Sequence, residues 1–211
     1  MTLIRRSYNS GYFDNALHRT YPNSMRNRRR IEMILEHQQR GRLLEIGPAT
    51  GQFLDLASNW FDTEGIEISA DAIKSASSDL RPKIRVGNIE TTPLPARRYN
   101  VVAAFNILEH LHDPAAVVDK IGKSLTPDGC CVGTVPCNSG PVGRVYTQIT
   151  NFFDRTHRST LEPERWRQLF LNAGFTHIDL FGELPIGPRF CIHVRHPHWF
   201  QISPNMMFVC R

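Results

Sequence analysis

Residues 43–51 read Leu43-Leu44-Glu45-Ile46-Gly47-Pro48-Ala49-Thr50-Gly51, and this stretch decides the fold of the 211-residue chain. Its first four residues are typical of a buried strand, and apolar residues recur at helical spacing directly behind Gly51. Glycine has no Cβ and adopts backbone dihedral angles that other residues resist. The stretch therefore predicts a strand, a tight turn and a helix, with a ligand close to the turn.

The order of residues from Glu45 onward resembles the first motif of class I S-adenosylmethionine-dependent methyltransferases, in which an acidic residue precedes G-x-G-x-G. Ala49 stands where that motif has its middle glycine. A nicotinamide-dependent oxidoreductase would show G-x-G-x-x-G at this turn, and the turn lacks that pattern. The resemblance implies that S-adenosyl-L-methionine is the cofactor and that the turn binds it through Glu45, Gly47, Pro48, Ala49, Thr50 and Gly51.

The next predicted strands carry further cofactor residues. Glu67 ends the second strand, where the two oxygens of a carboxylate can accept hydrogen bonds from two ribose hydroxyls. Asn88 follows the third strand, where the family usually has an aspartate that meets the adenine amino group, and asparagine keeps an acceptor oxygen. The resemblance implies adenine contacts for Ile68, Asn88 and Ile89, and it places Asn106 on the sulfonium side.

His110 is the leading candidate for a general base. It follows the fourth predicted strand, residues 99–106, within L-E-H-L-x-D-P, which resembles a motif of small-molecule methyltransferases in this superfamily. Ligands of open α/β sheets bind at the carboxyl ends of the strands, and a positioned base contributes roughly 10²–10⁴-fold. His157 is the second catalytic candidate. A structural hydrogen bond is the alternative role for each histidine.

A metal-binding site is the alternative to a general base at the same place in the sequence. Some quinone-biosynthesis and small-RNA 2′-O-methyltransferases have E-x-x-E-H here, and those side chains resemble a site for a hard cation. This chain has Asn106-Ile107-Leu108-Glu109-His110, so the first carboxylate is missing. The loss of one charged oxygen ligand weakens a magnesium site. We therefore predict that no residue binds a metal.

Composition bounds the class of protein. The length suits one domain with a full core, and 41% hydrophobic and 21% charged residues are typical of a globular chain. No apolar run approaches the roughly 20 residues of a membrane-spanning helix, and the first residues lack the apolar core of a secretory signal. We expect a cytoplasmic protein with no membrane partner, whose cysteines are buried free thiols.

A net charge of +5 raises the question of a nucleic-acid partner. The arginines are concentrated in a predicted helix over residues 25–37, at Arg26, Arg28, Arg29 and Arg30. The first interpretation is the solvated face of that helix, and the alternative is attraction to an anionic substrate. No nucleic-acid module with stacked aromatics is visible, so we predict a small-molecule methyl acceptor as the partner and nucleic acid as the second choice.

The predicted strands and helices alternate five times and end in two strands, residues 176–181 and 206–210. That order predicts an α/β fold with a doubly wound, seven-stranded sheet, mostly parallel with an antiparallel C-terminal hairpin. This is the Rossmann-like methyltransferase fold of the family that the motifs resemble.

We expect one methyltransferase domain over residues 1–211, in three parts. Residues 1–40 hold a helix and, by the resemblance, a lid, although an arm that packs its aromatics on the core is the alternative for residues 7–23. Residues 41–136 form the cofactor-binding core, and residues 137–211 supply substrate-side loops and the C-terminal strands. Within the last part, residues 137–153 are predicted to be a loop.

Taken together, these motifs, which occur in the family's order, imply a methyltransferase that acts by direct displacement. The favoured acceptor is an oxygen of a small molecule, with an RNA-modifying methyltransferase as an alternative that predicts salt-dependent binding. A non-catalytic cofactor-binding protein of the same fold is the other alternative.

Overall fold

A computed structural model describes residues 25–153, 156–186 and 190–211. In these ranges the helices are α1 (Met25–Leu35), α2 (Gln52–Ala57), α3 (Ala70–Ser75), α4 (Pro114–Ser124), α5 (Gly140–Phe153) and α6 (Pro163–Asn172). The strands are β1 (Gly41–Ile46), β2 (Phe61–Glu67), β3 (Ile84–Val86), β4 (Tyr99–Phe105), β5 (Leu125–Pro136), β6 (Ile178–Ile186), β7 (Phe190–Val194) and β8 (Asn205–Cys210). Short 3₁₀ helices cover Arg81–Lys83, Leu108–His110 and Pro197–Gln201.

The strands form one sheet in the order β3-β2-β1-β4-β5-β8-β6-β7. The pairs from β3 to β5 are parallel, whereas β5–β8, β8–β6 and β6–β7 are antiparallel. The strand order reverses between β1 and β4, which is where open α/β sheets form a ligand-binding crevice at their carboxyl edge. The predicted doubly wound sheet with antiparallel C-terminal strands is confirmed.

The predicted number of strands is wrong, because the described part of the chain holds eight rather than seven. The additional strand is β7, which lies in the Pro-containing segment between the last two predicted strands. It forms because it returns along β6, with Glu183 paired to His193 and Leu184 paired to Ile192. Five residues flanked by prolines give too short a pattern to show this from the sequence.

The loop predicted for residues 137–153 is also wrong, because most of it is helix α5. Gly143 allows this helix to lie against the end of β5, since a Cβ there would be 2.1 Å from the carbonyl oxygen of Cys137. The glycines and the proline at the start of α5 read as loop residues. In the structure, Gly140 and Gly143 allow the helix to lie close to Gln201 and Cys137.

The core consists of two layers, one on each face of the sheet. On one face α4 and α6 bury Val118, Ile121, Trp166 and Phe170. On the other face α1 and α2 bury residues such as Ile34 and Leu54. The middle of β4 is fully buried, as expected for a strand covered on both faces.

Two helix starts follow from local chemistry. Ser69 caps α3 by accepting a hydrogen bond from the backbone N–H of Ala72 at 3.2 Å. Asp113 caps α4 by accepting one from Ala116 at 2.9 Å, and Pro114 takes the first helical position. Both caps form because side-chain oxygens at these positions satisfy N–H groups that the helix leaves open.

The buried thiols are confirmed for Cys130, Cys131, Cys137 and Cys210, and burial raises the pKa of each. The predicted lid or aromatic arm, residues 7–23, lies outside the described residues. None of the described helices combines the length and the apolar composition needed to cross a bilayer.

Candidate functional site

The turn between β1 and α2 has a backbone that suits glycine. Gly47 and Gly51 have φ of +69° and +82°, and Ala49 has φ of +51°. For a residue with a side chain, this left-handed backbone conformation costs roughly 1–2 kcal/mol. Of the three turn residues, only Ala49 has a side chain. The backbone N–H of Gly51 donates to the carbonyl of Pro48 at 2.8 Å and closes the turn. A Cβ at Gly47 would lie 2.2 Å from Cδ1 of Ile107, so a side chain at this position would require Ile107 to move.

Glu67 lies directly against this turn. Its Oε2 accepts a hydrogen bond from the N–H of Ala49 at 3.0 Å, and its Oε1 accepts one from Ser69 at 2.8 Å. Burial raises the pKa of Glu67, and hydrogen bonds from the backbone of Ser69, Ala49 and Ile68 oppose that rise. Each carboxylate oxygen has a second lone pair, so Glu67 can still accept from a pair of ribose hydroxyls.

Glu45 is buried on the face of the sheet that α1 and α2 cover. Burial is the main reason that its pKa rises to about 8, the charge of Glu67 raises it further, and the charge of Arg30 lowers it. The group is therefore mostly protonated at neutral pH. The family motif suggests a carboxylate at this position, whereas burial here favours the neutral acid.

Asn88, which the sequence predicts to contact adenine, is already engaged with its own loop. Its side-chain oxygen accepts a hydrogen bond from the N–H of Glu90 at 2.9 Å, and Ile89 is buried behind it. Lys120 of α4 donates to the carbonyl oxygens of Ile89 at 2.7 Å and of Glu90 and Thr92 at 3.1 Å. Lys120 thus fixes the loop, a role that the sequence analysis missed.

Asn106 ends β4 in a left-handed conformation, with φ of +54°. Its backbone N–H donates to the carbonyl of Thr134 at 2.8 Å, and its side-chain oxygen accepts from the hydroxyl of Thr134 at 2.9 Å. Asparagine tolerates this conformation better than most residues do. The exposed side chain is therefore held at the carboxyl edge of the sheet.

Arg30 reaches the same edge from helix α1. Its guanidinium carbon lies 3.9 Å from the centre of the Phe105 ring, and its Nη2 lies 3.4 Å from the hydroxyl oxygen of Thr134. The prediction that the arginines form a solvated face holds for Arg28 and Arg29, which are exposed, and is wrong for Arg30, which is 7% exposed. The structure thus has a buried cation beside Phe105 and Thr134, which periodicity alone could not show.

The two candidate catalytic histidines lie side by side. The ring centres of His110 and His157 are 4.6 Å apart and their planes are inclined by 60°. Nδ1 of His110 lies 2.8 Å from the hydroxyl of Thr156, and Nδ1 of His157 lies 2.6 Å from the side-chain oxygen of Asn151. These contacts at Nδ1 fix the orientation of both rings.

Backbone hydrogen bonds bring these distant parts of the chain together. The carbonyl of Glu109 accepts from the N–H groups of Arg158 at 2.7 Å and Ser159 at 2.9 Å. The loop that carries His157 is thereby tied to the 3₁₀ turn that carries His110. Thr156 and Asn151, which orient the two rings, had no signal in the sequence because their roles depend on this contact.

One cluster among the described residues could hold a metal ion. Glu109, His110 and His157 each offer one ligand atom, and these three atoms lie within 4.8 Å of one another. The sequence predicts no metal, because a carboxylate is missing at Asn106. The cluster gives that prediction a specific site at which to be tested.

A second charged cluster is buried where α1 crosses the β6–β7 hairpin. Oε1 of Glu183 lies 3.2 Å from Nε of Arg26, and Oε2 lies 3.5 Å from Nε2 of His193. Burial by itself raises the pKa of Glu183, but the hydrogen bond from His193 and the charges of Arg30 and Arg26 outweigh it and lower the pKa to about 2. This carboxylate therefore stays charged and anchors α1 to the sheet.

Comparison with known protein families identifies the family to which the chain belongs. The family described as methyltransferase domain matches residues 17–180. The chain belongs to this methyltransferase family. The match covers the turn, the strand that ends in Glu67 and both histidines, and the family identifies S-adenosyl-L-methionine as the cofactor, as the sequence motifs implied.

The methyltransferase domain has a curated relative and solved structures of the same fold. The ubiquinone biosynthesis O-methyltransferase of Psychrobacter arcticus is 31% identical over 160 residues, which is 67% of this chain and 61% of that protein. A SAM-dependent methyltransferase from Thermotoga maritima has a TM-score of 0.68 at 17% identity, with 88% of each chain covered. One from Archaeoglobus fulgidus has a TM-score of 0.68 at 16% identity, covering 88% of this chain and 92% of its own.

Proposed function

We propose that the protein transfers a methyl group from S-adenosyl-L-methionine to an oxygen of a small-molecule acceptor, with His110 as the general base. The observation that supports it is the position of His110. Its imidazole is held through Nδ1 by Thr156 at 2.8 Å, at the end of the strand that carries Asn106 to the carboxyl edge. A fixed base at this edge suits removal of a hydroxyl proton.

The residues at the turn fit the cofactor. Gly47 and Gly51 let the backbone approach a ligand, and the oxygens of Glu67 keep lone pairs for the ribose hydroxyls. Ile68, Asn88 and Ile89 would border the adenine, with Asn106 toward the sulfonium. The bound cofactor supplies an already activated methyl group. The chain therefore has to align the acceptor with it, and alignment of two reactants can account for several kcal/mol of the barrier, of order 7–11 kcal/mol at most.

His110 would accept the proton of the acceptor hydroxyl on Nε2 while Nδ1–H donates to the hydroxyl of Thr156. The acceptor oxygen gains the methyl carbon as the carbon–sulfur bond breaks, and the proton leaves His110 to solvent. His157, 4.6 Å away, would share the acceptor side of the site. An acceptor with an acidic hydroxyl, such as a phenol, suits a base of this kind.

Oxygen is favoured as the acceptor atom because the curated relative at 31% identity is named an O-methyltransferase. This chain spans 61% of that protein's length, so the acceptor itself is a matter for experiment. RNA is the second candidate. Arg28 and Arg29 are exposed on α1, but Arg29 pairs with Glu32 at 2.7 Å, which offsets its charge.

A screen of acceptor classes with radiolabelled cofactor tests the proposal. Wild type and His110→Ala are compared on phenols, amines, thiols and tRNA, with His177→Ala as the control, because His177 is exposed at the opposite edge of the sheet. The proposal predicts turnover on a phenol that falls about 10²-fold or more in His110→Ala. Turnover that stays unchanged in this variant contradicts the base assignment. Binding of S-adenosylhomocysteine without turnover of any acceptor would favour a non-catalytic protein.

A further inference from the structure

The loop of residues 88–92, which follows β3, satisfies its own backbone donors. The N–H groups of residues 90–92 all donate to Asn88. That of Glu90 donates to the side-chain oxygen at 2.9 Å, and the other two donate to the carbonyl oxygen at 3.1 and 2.7 Å. The later carbonyl oxygens of the loop need donors from elsewhere, because a backbone carbonyl that is shielded from water is costly without a partner.

Lys120 of helix α4 supplies those donors. Its Nζ lies 2.7 Å from the carbonyl oxygen of Ile89 and 3.1 Å from the carbonyl oxygens of Glu90 and Thr92. An ammonium group has three N–H donors, so each carbonyl can receive one, and a charged donor makes a stronger hydrogen bond than a neutral one. All three acceptors belong to the backbone. Lys120 therefore fixes the path of the loop itself.

Glu90 attaches the loop to the same helix at a second point. Its Oε1 accepts hydrogen bonds from the backbone N–H groups of His112 and Asp113 at 2.8 and 3.2 Å, and its Oε2 lies 3.2 Å from Nδ1 of His112. Asp113 and Lys120 are seven residues apart, which is close to two helical turns, so they lie on the same side of α4. The helix thus holds the loop at two points, about 10 Å apart at 1.5 Å per residue.

The loop that α4 holds borders the candidate cofactor site. The N–H of Gly87, directly before the loop, donates to the carbonyl oxygen of Glu67 at 2.9 Å. Asn88 and Ile89 are the proposed neighbours of the adenine, and the side chain of Ile89 is buried in the core. Loss of the contacts to Lys120 would release the carbonyl of Ile89 and let the groups beside the adenine shift. The carboxylate of Glu67 would keep its own hydrogen bonds to Ala49 and Ser69.

We propose that Lys120 is a positioning residue that sets the affinity and the selectivity of the cofactor site for the adenine base. It acts through the 88–92 loop, because it keeps Asn88 and Ile89 where they can meet the base. The inference rests on the proposed place of the adenine and is independent of the acceptor and of the general base. Adenine presents an amino group where hypoxanthine has an oxygen, so acceptors that are held toward the base favour adenine.

Calorimetric titration of the full chain tests the proposal with two ligands. These are S-adenosylhomocysteine and S-inosylhomocysteine, in which an oxygen replaces the amino group of the base. Wild type should bind the first about tenfold more tightly, the factor expected for one hydrogen bond. Lys120→Met keeps the length of the side chain but has no N–H donor. It should bind S-adenosylhomocysteine about tenfold more weakly, and the ratio of the two affinities should fall toward one.

The ratio separates positioning from a loss of stability, because partial unfolding lowers both affinities by the same factor. Lys123→Met is the matched control. Lys123 lies on the same helix, its side chain is 73% exposed, and its Nζ lies 2.7 Å from Asp119. This variant should keep both wild-type affinities. Lys120→Gln retains two donors and should give an intermediate ratio, which provides the test if Lys120→Met does not fold.

A wild-type ratio in folded Lys120→Met, or equal affinity of wild type for the two ligands, would overturn the proposal. Ile68→Ala distinguishes this failure from that of the proposed function, because Ile68 is the proposed neighbour of the adenine outside the loop. If Ile68→Ala binds S-adenosylhomocysteine more weakly and Lys120→Met binds it as wild type does, only the role of Lys120 is wrong. Wild-type binding by both variants would contradict the proposed place of the adenine as well.

Discussion

The side-chain oxygen of Asn151 lies 2.6 Å from Nδ1 of His157, so helix α5 holds an imidazole of the candidate site. An amide oxygen only accepts hydrogen bonds, so Nδ1 of His157 donates to Asn151. Thr156 holds His110 in a similar way. The orientation of both rings therefore depends on residues 151–157.

We expect Asn151→Leu to lower kcat/KM by about tenfold, because a ring that loses its partner is no longer held in one orientation. The affinity for S-adenosylhomocysteine should not change. Gln148→Leu, which alters an exposed residue of the same helix, is the control and should keep wild-type kinetics. Equal rates for Asn151→Leu and wild type would show that the contact has no part in turnover.

Glu67→Gln should weaken binding of S-adenosylhomocysteine by about 10–100-fold, the loss expected for hydrogen bonds to a charged group. Calorimetric titration measures it. Glu64→Gln is the control, because Glu64 lies on the same strand but pairs with Arg98 and Tyr99. Thermal melting of both variants would reveal unfolding of the turn, which would also weaken binding. Wild-type affinity in a folded Glu67→Gln protein would show that Glu67 does not bind the ribose.

Glu45→Gln should make the protein more stable than wild type at pH 8 and similar to it at pH 4.5. The pKa of Glu45 rises from 4.5 to about 8 in the folded state, mainly through burial. The folded state thus holds a proton that the unfolded chain releases, so wild-type stability falls as pH rises through this window. Urea midpoints across the range measure it. Parallel pH curves for the two proteins would contradict the assignment.

Glu183→Gln should lower the free energy of unfolding by about 1–3 kcal/mol at neutral pH, because Arg26 and His193 lose a buried charged partner. The pKa of Glu183 is lowered from 4.5 to about 2, chiefly by His193 once the cost of burial is overcome. Its contribution is present above pH 4.5 and is lost as pH falls toward 2. Urea unfolding at successive pH values should show the two proteins converging in acid. A constant difference would point to packing rather than charge.

Removal of divalent metal should leave turnover unchanged, because Asn106 replaces a carboxylate of the metal-binding pattern. The measurement is the initial rate after dialysis against EDTA, followed by addition of Mg²⁺, Mn²⁺ or Zn²⁺. A rate that collapses and returns with one ion would assign the Glu109, His110 and His157 cluster to metal binding.

The sequence was informative wherever function depends on neighbours along the chain. Gly47 and Gly51 were identifiable because a turn needs their backbone freedom, and Glu67 because it ends a strand. Arg30, in contrast, sits among exposed arginines, and only the packing of α1 on the sheet separates it from them. Its place over Phe105 is a tertiary property.

Helix α5 shows a different reason why a structure cannot be predicted from its sequence alone. The apolar spacing of Val142, Val145 and Ile149 is present in the sequence, but Gly140 and Pro141 before it are typical loop residues. In the structure this segment is helical, and Gly143 lies close to the carbonyl of Cys137. Strand β7 was hidden for a simpler reason, since its pairing with β6 is what makes it a strand.

The position of β8 between β5 and β6 has a consequence for synthesis on the ribosome. Strands β6 and β7 leave the exit tunnel before β8, yet β8 is the strand that joins them to β5. Until β8 is in place, the nascent β6–β7 hairpin therefore exposes the edge of β6 that β8 later covers. Exposed strand edges pair readily with other chains. A chaperone should therefore bind the chain more strongly before β8 is inserted than after its insertion.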